Sequence, residues 1–173
     1  TLFKAYALDS TAIRALLHMG NMYRMLGQYK ESYTYYSKCV ARMEELNSSL
    51  MWAMPNMIYV FQQVGETEKA NYFIHKSIQY YESTPGEKRS QLSVIRLAHL
   101  RALNGDAEDA LELLSNLAQQ DCLIPSARSF EESFLWDKIR NEPEFMPIMR
   151  EINAKRQAEY ERVRQWLVEN DLL

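Results

Sequence analysis

The stretch GNMYRMLGQYKESYTYYSKC, residues 20–39, decides the fold. An apolar helical pattern runs into it, a glycine interrupts it, and a second helical pattern leaves it. Leu16, Met19 and Tyr23 recur at three and four residues and mark one apolar face. Gly27 ends that face where a left-handed backbone is cheap for glycine. Tyr29, Ser32, Tyr36 and Cys39 then form the facing stripe of a second helix. The expectation is a helical hairpin, with Tyr29 and Tyr36 as packing aromatics. Tyr33 and Tyr35 fall off the stripe and are left either to pack against a neighbouring hairpin or to lie on the outer face.

The same grammar recurs along the chain. Gly27, Gly65 and Gly105 stand in YRMLGQYKES, VFQQVGETEKA and LRALNGDAEDA, separated by 38 and 40 residues. Met54, Met57, Ile58 and Phe61 precede the second glycine, and Ala70, Phe73, Ile74 and Ser77 follow it. Val94, Leu97 and Ala98 precede the third, and Ala110, Leu114 and Leu117 follow. A small residue comes five places after each glycine: Ser32, Ala70 and Ala110. Small side chains there let the two helices of a hairpin approach closely. A period of this size predicts stacked helical hairpins, with loops at 47–49 and 83–90.

Composition agrees. Of 173 residues 47% are apolar and 25% charged, and there are only five Gly and five Pro, few for a protein that must turn often. Good helix formers abound, so the fold class read from the residues is all-α. Net charge is −3, distributed as +3 over residues 1–100, −5 over 101–142 and −1 beyond. Without a basic stripe, nucleic acid is not an expected partner of this segment. The acidic middle reads as a solvated face rather than a site for a basic partner. Cys39 and Cys122 are too few for a disulfide framework and read as buried small side chains. No run of 18 apolar residues exists, so no direct membrane contact is expected. TLFKAYAL reads like the middle of a helix and does not begin with Met, which predicts a fragment of a longer protein. Leu2 and Ala5 would then be the stripe of an earlier repeat, with Asp9-Ser10 as its exit. The compartment is not fixed; a soluble domain on the cytoplasmic or periplasmic side of a larger protein is expected.

MGNMYRMLGQYKESYTYYSKC resembles a tetratricopeptide repeat, through Met19-Gly20, Tyr23, Gly27, Tyr29, Ser32, Tyr36 and Cys39. GDAEDALELLSNLAQQD resembles the second helix of the same repeat. The second unit departs from the pattern at Ile58 and Pro55, and Arg101 stands where the third should carry an aromatic. The resemblance implies a right-handed superhelix of stacked antiparallel helix pairs over residues 1–124, with repeats at about 11–46, 51–84 and 90–123 after the end of one at 1–10. It implies a concave wall lined by Arg14, Leu17, Asn21 and Arg24, by Trp52, Tyr59, Gln62 and Gln63, and by Leu92, Ile95 and His99, with Trp52 and Tyr59 as the anchors for a bound peptide or helix. Of the clamp with which some family members hold chaperone tails only Asn21 is present, so such tails are not expected to bind.

After Cys122 the grammar stops. Ile124-Pro125 breaks the helix. Phe130, Phe134, Leu135, Trp136 and Ile139 then recur at helical spacing. Residues 125–173 are expected to cap the last repeat, since a solenoid end must cover its apolar face. A long terminal helix, roughly 39 Å if it spans 144–169, carries the stripe Phe145, Met149, Ile152, Tyr160, Val163 and Leu167, interrupted at Arg156. Its distal part, Tyr160, Val163, Trp166 and Leu167, is either further cap or a contact for a homodimer or docking partner. WDKIRNEPEFMPIMREI also resembles the segment that closes tetratricopeptide arrays in some bacterial regulators.

No chemistry is spelled out. His18, His75 and His99 lack a second ligand at metal spacing, and no phosphate loop or nucleophile elbow occurs. Neither a catalytic set, a metal nor a cofactor is expected. What remains is a protein-interaction module of a larger bacterial regulatory or signalling protein, with a self-assembly module or a small-molecule sensor as the alternatives.

Overall fold

A computed structural model describes residues 12–48, 50–85, 89–120, 130 and 133–172. The expected earlier repeat at 1–10 and Cys122 lie outside them. Among the described residues all regular structure is helical. The order is α1 (Ile13–Met25), α2 (Tyr29–Glu45), a 3-10 turn (Met51–Ala53), α3 (Met54–Gln63), α4 (Thr67–Glu82), α5 (Gln91–Asn104), α6 (Ala107–Gln119), a second 3-10 turn (Phe134–Trp136) and α7 (Phe145–Glu169). The chain divides into two compact units, with the division between Tyr80 and Tyr81.

Three reversals share one geometry. Gly27, Gly65 and Gly105 have φ of 71°, 84° and 94°, a region that costs other residues strain. Just past each glycine, an amide reaches back five residues. Gln28 N–H donates to the Tyr23 carbonyl at 2.9 Å, Glu66 to Phe61 at 2.9 Å and Asp106 to Arg101 at 3.0 Å. These bonds satisfy carbonyls that the helix end would otherwise leave open.

In the first unit α1 packs against α2. Gly20 meets the Tyr36 ring face-on, leaving no room for a Cβ. The buried Ser32 hydroxyl donates to the Gly20 carbonyl at 2.8 Å. Tyr36 is fully buried, and its hydroxyl donates to Asn21 Oδ1 at 2.7 Å. The other tyrosines pack too. Tyr35 stacks on Tyr23 with ring centroids 5.3 Å apart. Tyr29 meets Tyr59 edge-on at 5.9 Å and Tyr33 meets Phe61 at 5.7 Å, both across to α3. Phe61 in turn touches Phe73 of α4, and Lys69 lies over the Tyr33 and Phe61 rings while donating to the Ser37 hydroxyl. Pro55 sits in the first turn of α3, where its missing N–H costs nothing.

In the second unit α5 and α6 form the third hairpin. Arg101, in place of an aromatic, pairs with Glu82, Asp106 and Asp109. The C-terminal segment joins the hairpin in a single core: Ile95, Ala98, Ala102, Ala110, Leu114 and Leu117 bury with Phe130, Trp136, Ile139, Phe145, Met149 and Ile152. Around Trp136 the helical spacing read from the sequence yields only the 3-10 turn followed by further turns. A tight bend suits the bonds made there: Trp136 Nε1–H donates to the Phe130 carbonyl at 2.6 Å. Two lysines of the same segment fasten the hairpin's ends. Lys138 donates to the Leu103 carbonyl near the end of α5, and Lys155 to Ala118 near the end of α6, each at 2.5 Å. Cations favour helix C-termini for both charge and hydrogen bonding.

The Gly20–Tyr36 contact gives a direct test. Gly20→Ala forces the ring from its site and should cost about 1–3 kcal/mol of stability in urea titrations. The loss should shrink when Tyr36→Leu is introduced alongside it. An unchanged unfolding midpoint for Gly20→Ala would show that the ring yields freely.

Candidate interaction surfaces

The wall residues expected from the sequence divide by the work their side chains do. Leu17 and Ile95 are buried in the cores. Asn21 accepts from the Tyr36 hydroxyl, and Arg24 hydrogen-bonds the same group. Burial pushes that phenol up to about 12, with Arg24 opposing the rise. Tyr59 is buried and engaged with Tyr29. Arg14 and Gln63 are exposed and Gln62 is half-buried. Trp52, on the first 3-10 turn, is 49% exposed.

His99 belongs to the second unit and faces its core. Its ring lies 3.9 Å from that of Trp136, centroid to centroid, and meets Phe130 edge-on. Its Nε2 is buried without a hydrogen-bond partner among the described residues. Burial, with Arg96 adding to it, pushes the imidazole down to about 3. Cys39 is likewise withdrawn from chemistry: burial raises its thiol to about 11. Among the described residues no group of three or more His, Cys, Asp or Glu could hold a metal ion. No helix among them is long and apolar enough to cross a membrane.

A cavity of about 200 Å³ in the first unit is lined by Val40, Met43, Met51, Met54 and Phe73, with Glu44 and Lys76 among its polar walls. An open groove of about 660 Å³ in the second unit runs between α6 and the start of α7. Its apolar lining is Ala107, Leu111 and Ile148, and Glu108, Glu112, Glu142 and Glu144 line it as well. Sequence reasoning did not pick out this groove. The only sign of it was the acidic balance of residues 101–142, which does not say which carboxylates come together.

Exposed apolar residues also lie along α7. Phe145, Met149 and Ile152 are buried against the third hairpin. Beyond Ile152 no residue of the helix is buried. Tyr160 is 62% exposed and Trp166 54%; Val163 is exposed and Leu167 half-buried. The distal turns are held from within by Arg162–Glu159 and Arg164–Glu161 pairs and by Gln157 donating to Glu161 at 2.9 Å. Such pairs support exposed turns of a helix.

No family model matches the chain, and neither the curated proteins nor the solved structures contain a significant match.

His99 predicts a pH effect. Unfolded, an imidazole titrates near pH 6.5; folded, His99 resists protonation until about pH 3. Above pH 6.5 it is neutral in both states and contributes no pH dependence. As pH falls from 6.5 toward 3, the unfolded chain takes up this proton first and stability is lost. His99→Phe keeps a ring beside Trp136 and should flatten the fall in melting temperature between pH 6.5 and 5. Identical pH profiles for the two proteins would exclude this role.

Proposed function

We propose that this chain is a non-catalytic protein-interaction module, built from tetratricopeptide-like hairpins and belonging to a larger bacterial regulatory or signalling protein. The uncovered apolar half of α7 carries the reading. A helix that buries its first turns and continues for over four more with Tyr160, Val163, Trp166 and Leu167 on one side presents a surface suited to another polypeptide. Tryptophan and tyrosine are the residues most often found at the energetic centre of such contacts. Trp52, half exposed on the first 3-10 turn, supplies a second anchor, and Arg14 and Gln63 of the expected peptide-binding wall are exposed as well. The repeated turn geometry and the buried Ser32, Ala70 and Ala110 support the tetratricopeptide likeness, since both follow from its glycine and small-residue positions.

The test is a peptide-display selection against the whole chain. Selected peptides should bind at least tenfold more weakly to Trp166→Ala/Tyr160→Ala or to Trp52→Ala, with melting temperatures unchanged. Peptides indifferent to both sets of changes, or turnover of a small molecule by the purified chain, would overturn the reading.

A further inference from the structure

We propose that the uncovered half of α7 pairs antiparallel with the same half of a second copy of this chain, Tyr160 packing against Val163 of the second copy. The inference rests on the interaction-module reading and names the partner of its main surface. Three observations lead to it.

The first is continuity. The buried stripe Phe145, Met149 and Ile152 is followed along the helix by Arg156, Tyr160, Val163 and Leu167, which are spaced by four, three and four residues. That spacing is the seam of a two-helix coiled coil. Trp166 lies at its edge.

The second is length. The half without a fully buried residue runs from Asn153 to the helix cap at Asn170, with Lys155 at its start tied to α6. With Tyr160 opposite Val163, Asn153 comes opposite Asn170 and Arg156 opposite Leu167. The whole uncovered half is thereby matched to itself, and the second helix ends where Ile152 turns into the core. A slide of one heptad towards the body would lay the second copy's Leu167 against Met149, which is already fully buried. A slide the other way leaves about two turns of each copy unpaired.

The third is charge. In an antiparallel pair each flank of the seam faces its own counterpart. One flank carries Gln157 and Arg164, the other Glu159 and Trp166. The proposed register sets Gln157 against Arg164 and Glu159 against Trp166, with no like charges opposed. The slide towards the body sets Glu159 against Glu159 and Arg150 against Arg164. The opposite slide sets Arg164 against Arg164. A parallel pair would place Arg156 against Arg156 in the seam itself. Like charges so placed disfavour an arrangement. Contact over these few turns buries on the order of 1,000 Å² in total, the lower end of specific interfaces, so the dimer is weak and dissociates on dilution.

The experiment is sedimentation equilibrium of the whole chain and of two single variants at Gln157, an exposed position, with helicity checked by circular dichroism. In the proposed register Gln157→Glu places a carboxylate against Arg164 twice per dimer and should tighten self-association roughly three- to fivefold, while Gln157→Lys should weaken it by a similar factor. Trp166→Ala should weaken it as well. In the register slid towards the body, position 157 meets itself and both variants weaken the dimer. In the other slide it faces Asp171 and the two effects exchange signs. In a parallel pair neither variant shifts the equilibrium. Any of these three patterns overturns the proposal, as does a strict monomer at every concentration. A monomer whose peptide binding still depends on Trp166 would leave the interaction-module reading standing; loss of both would remove the two together.

Discussion

Each hairpin in this protein turns on one backbone constraint, a glycine held in the left-handed region at the end of its first helix. The turn closes the helix with its own amides, so the chain reverses without borrowing a side chain. A fixed reversal in turn fixes which residue of the second helix first meets the first. That place, five residues on, is taken by Ser32, Ala70 or Ala110, each fully buried. In the first hairpin the approach is close enough that Gly20 and Tyr36 fit flat together, and Ser32 exchanges its hydroxyl's water for the Gly20 carbonyl. The large side chains are arranged around these contacts rather than the reverse.

That logic explains what could be read beforehand. Glycine spacing, small residues and helical periodicity are local signals, and they located every helix of the three hairpins. The stripes assigned to the second hairpin, from Met54 to Phe61 and from Ala70 to Ser77, are buried as expected. Long-range partners were not legible. Tyr33 found Phe61 and Tyr29 found Tyr59 on α3, pairings that depend on how hairpins stack rather than on spacing. The segment around Trp136 misled for a related reason. Its apolar spacing fits a helix, but its Nε1–H, Lys138 and the hairpin carbonyls draw it into tight turns instead. Arg101 shows a third case: where the resemblance led to the expectation of an aromatic, a guanidinium stands paired with three carboxylates.

The surfaces follow the same division. Residues expected on a binding wall were chosen by their position in a repeat, and position alone does not say whether a polar side chain is already engaged. Asn21 and Arg24 serve Tyr36, Tyr59 serves Tyr29, and His99 serves Trp136. Trp52 and the end of α7 stood out in the sequence and are exposed in the structure. The groove between α6 and α7 is the reverse case. Its four glutamates come from residues 108 to 144 and are brought together only by the docking of the last helix.

The burial of Trp136 against His99 has a spectroscopic consequence. The protein contains three tryptophans, of which Trp52 and Trp166 are half exposed while Trp136 has no solvent contact. Emission from the buried indole belongs at the blue edge of the spectrum and that of the other two towards the red. Blue-edge fluorescence is therefore an intrinsic optical gauge of whether the C-terminal segment is seated on its hairpin, legible without any label.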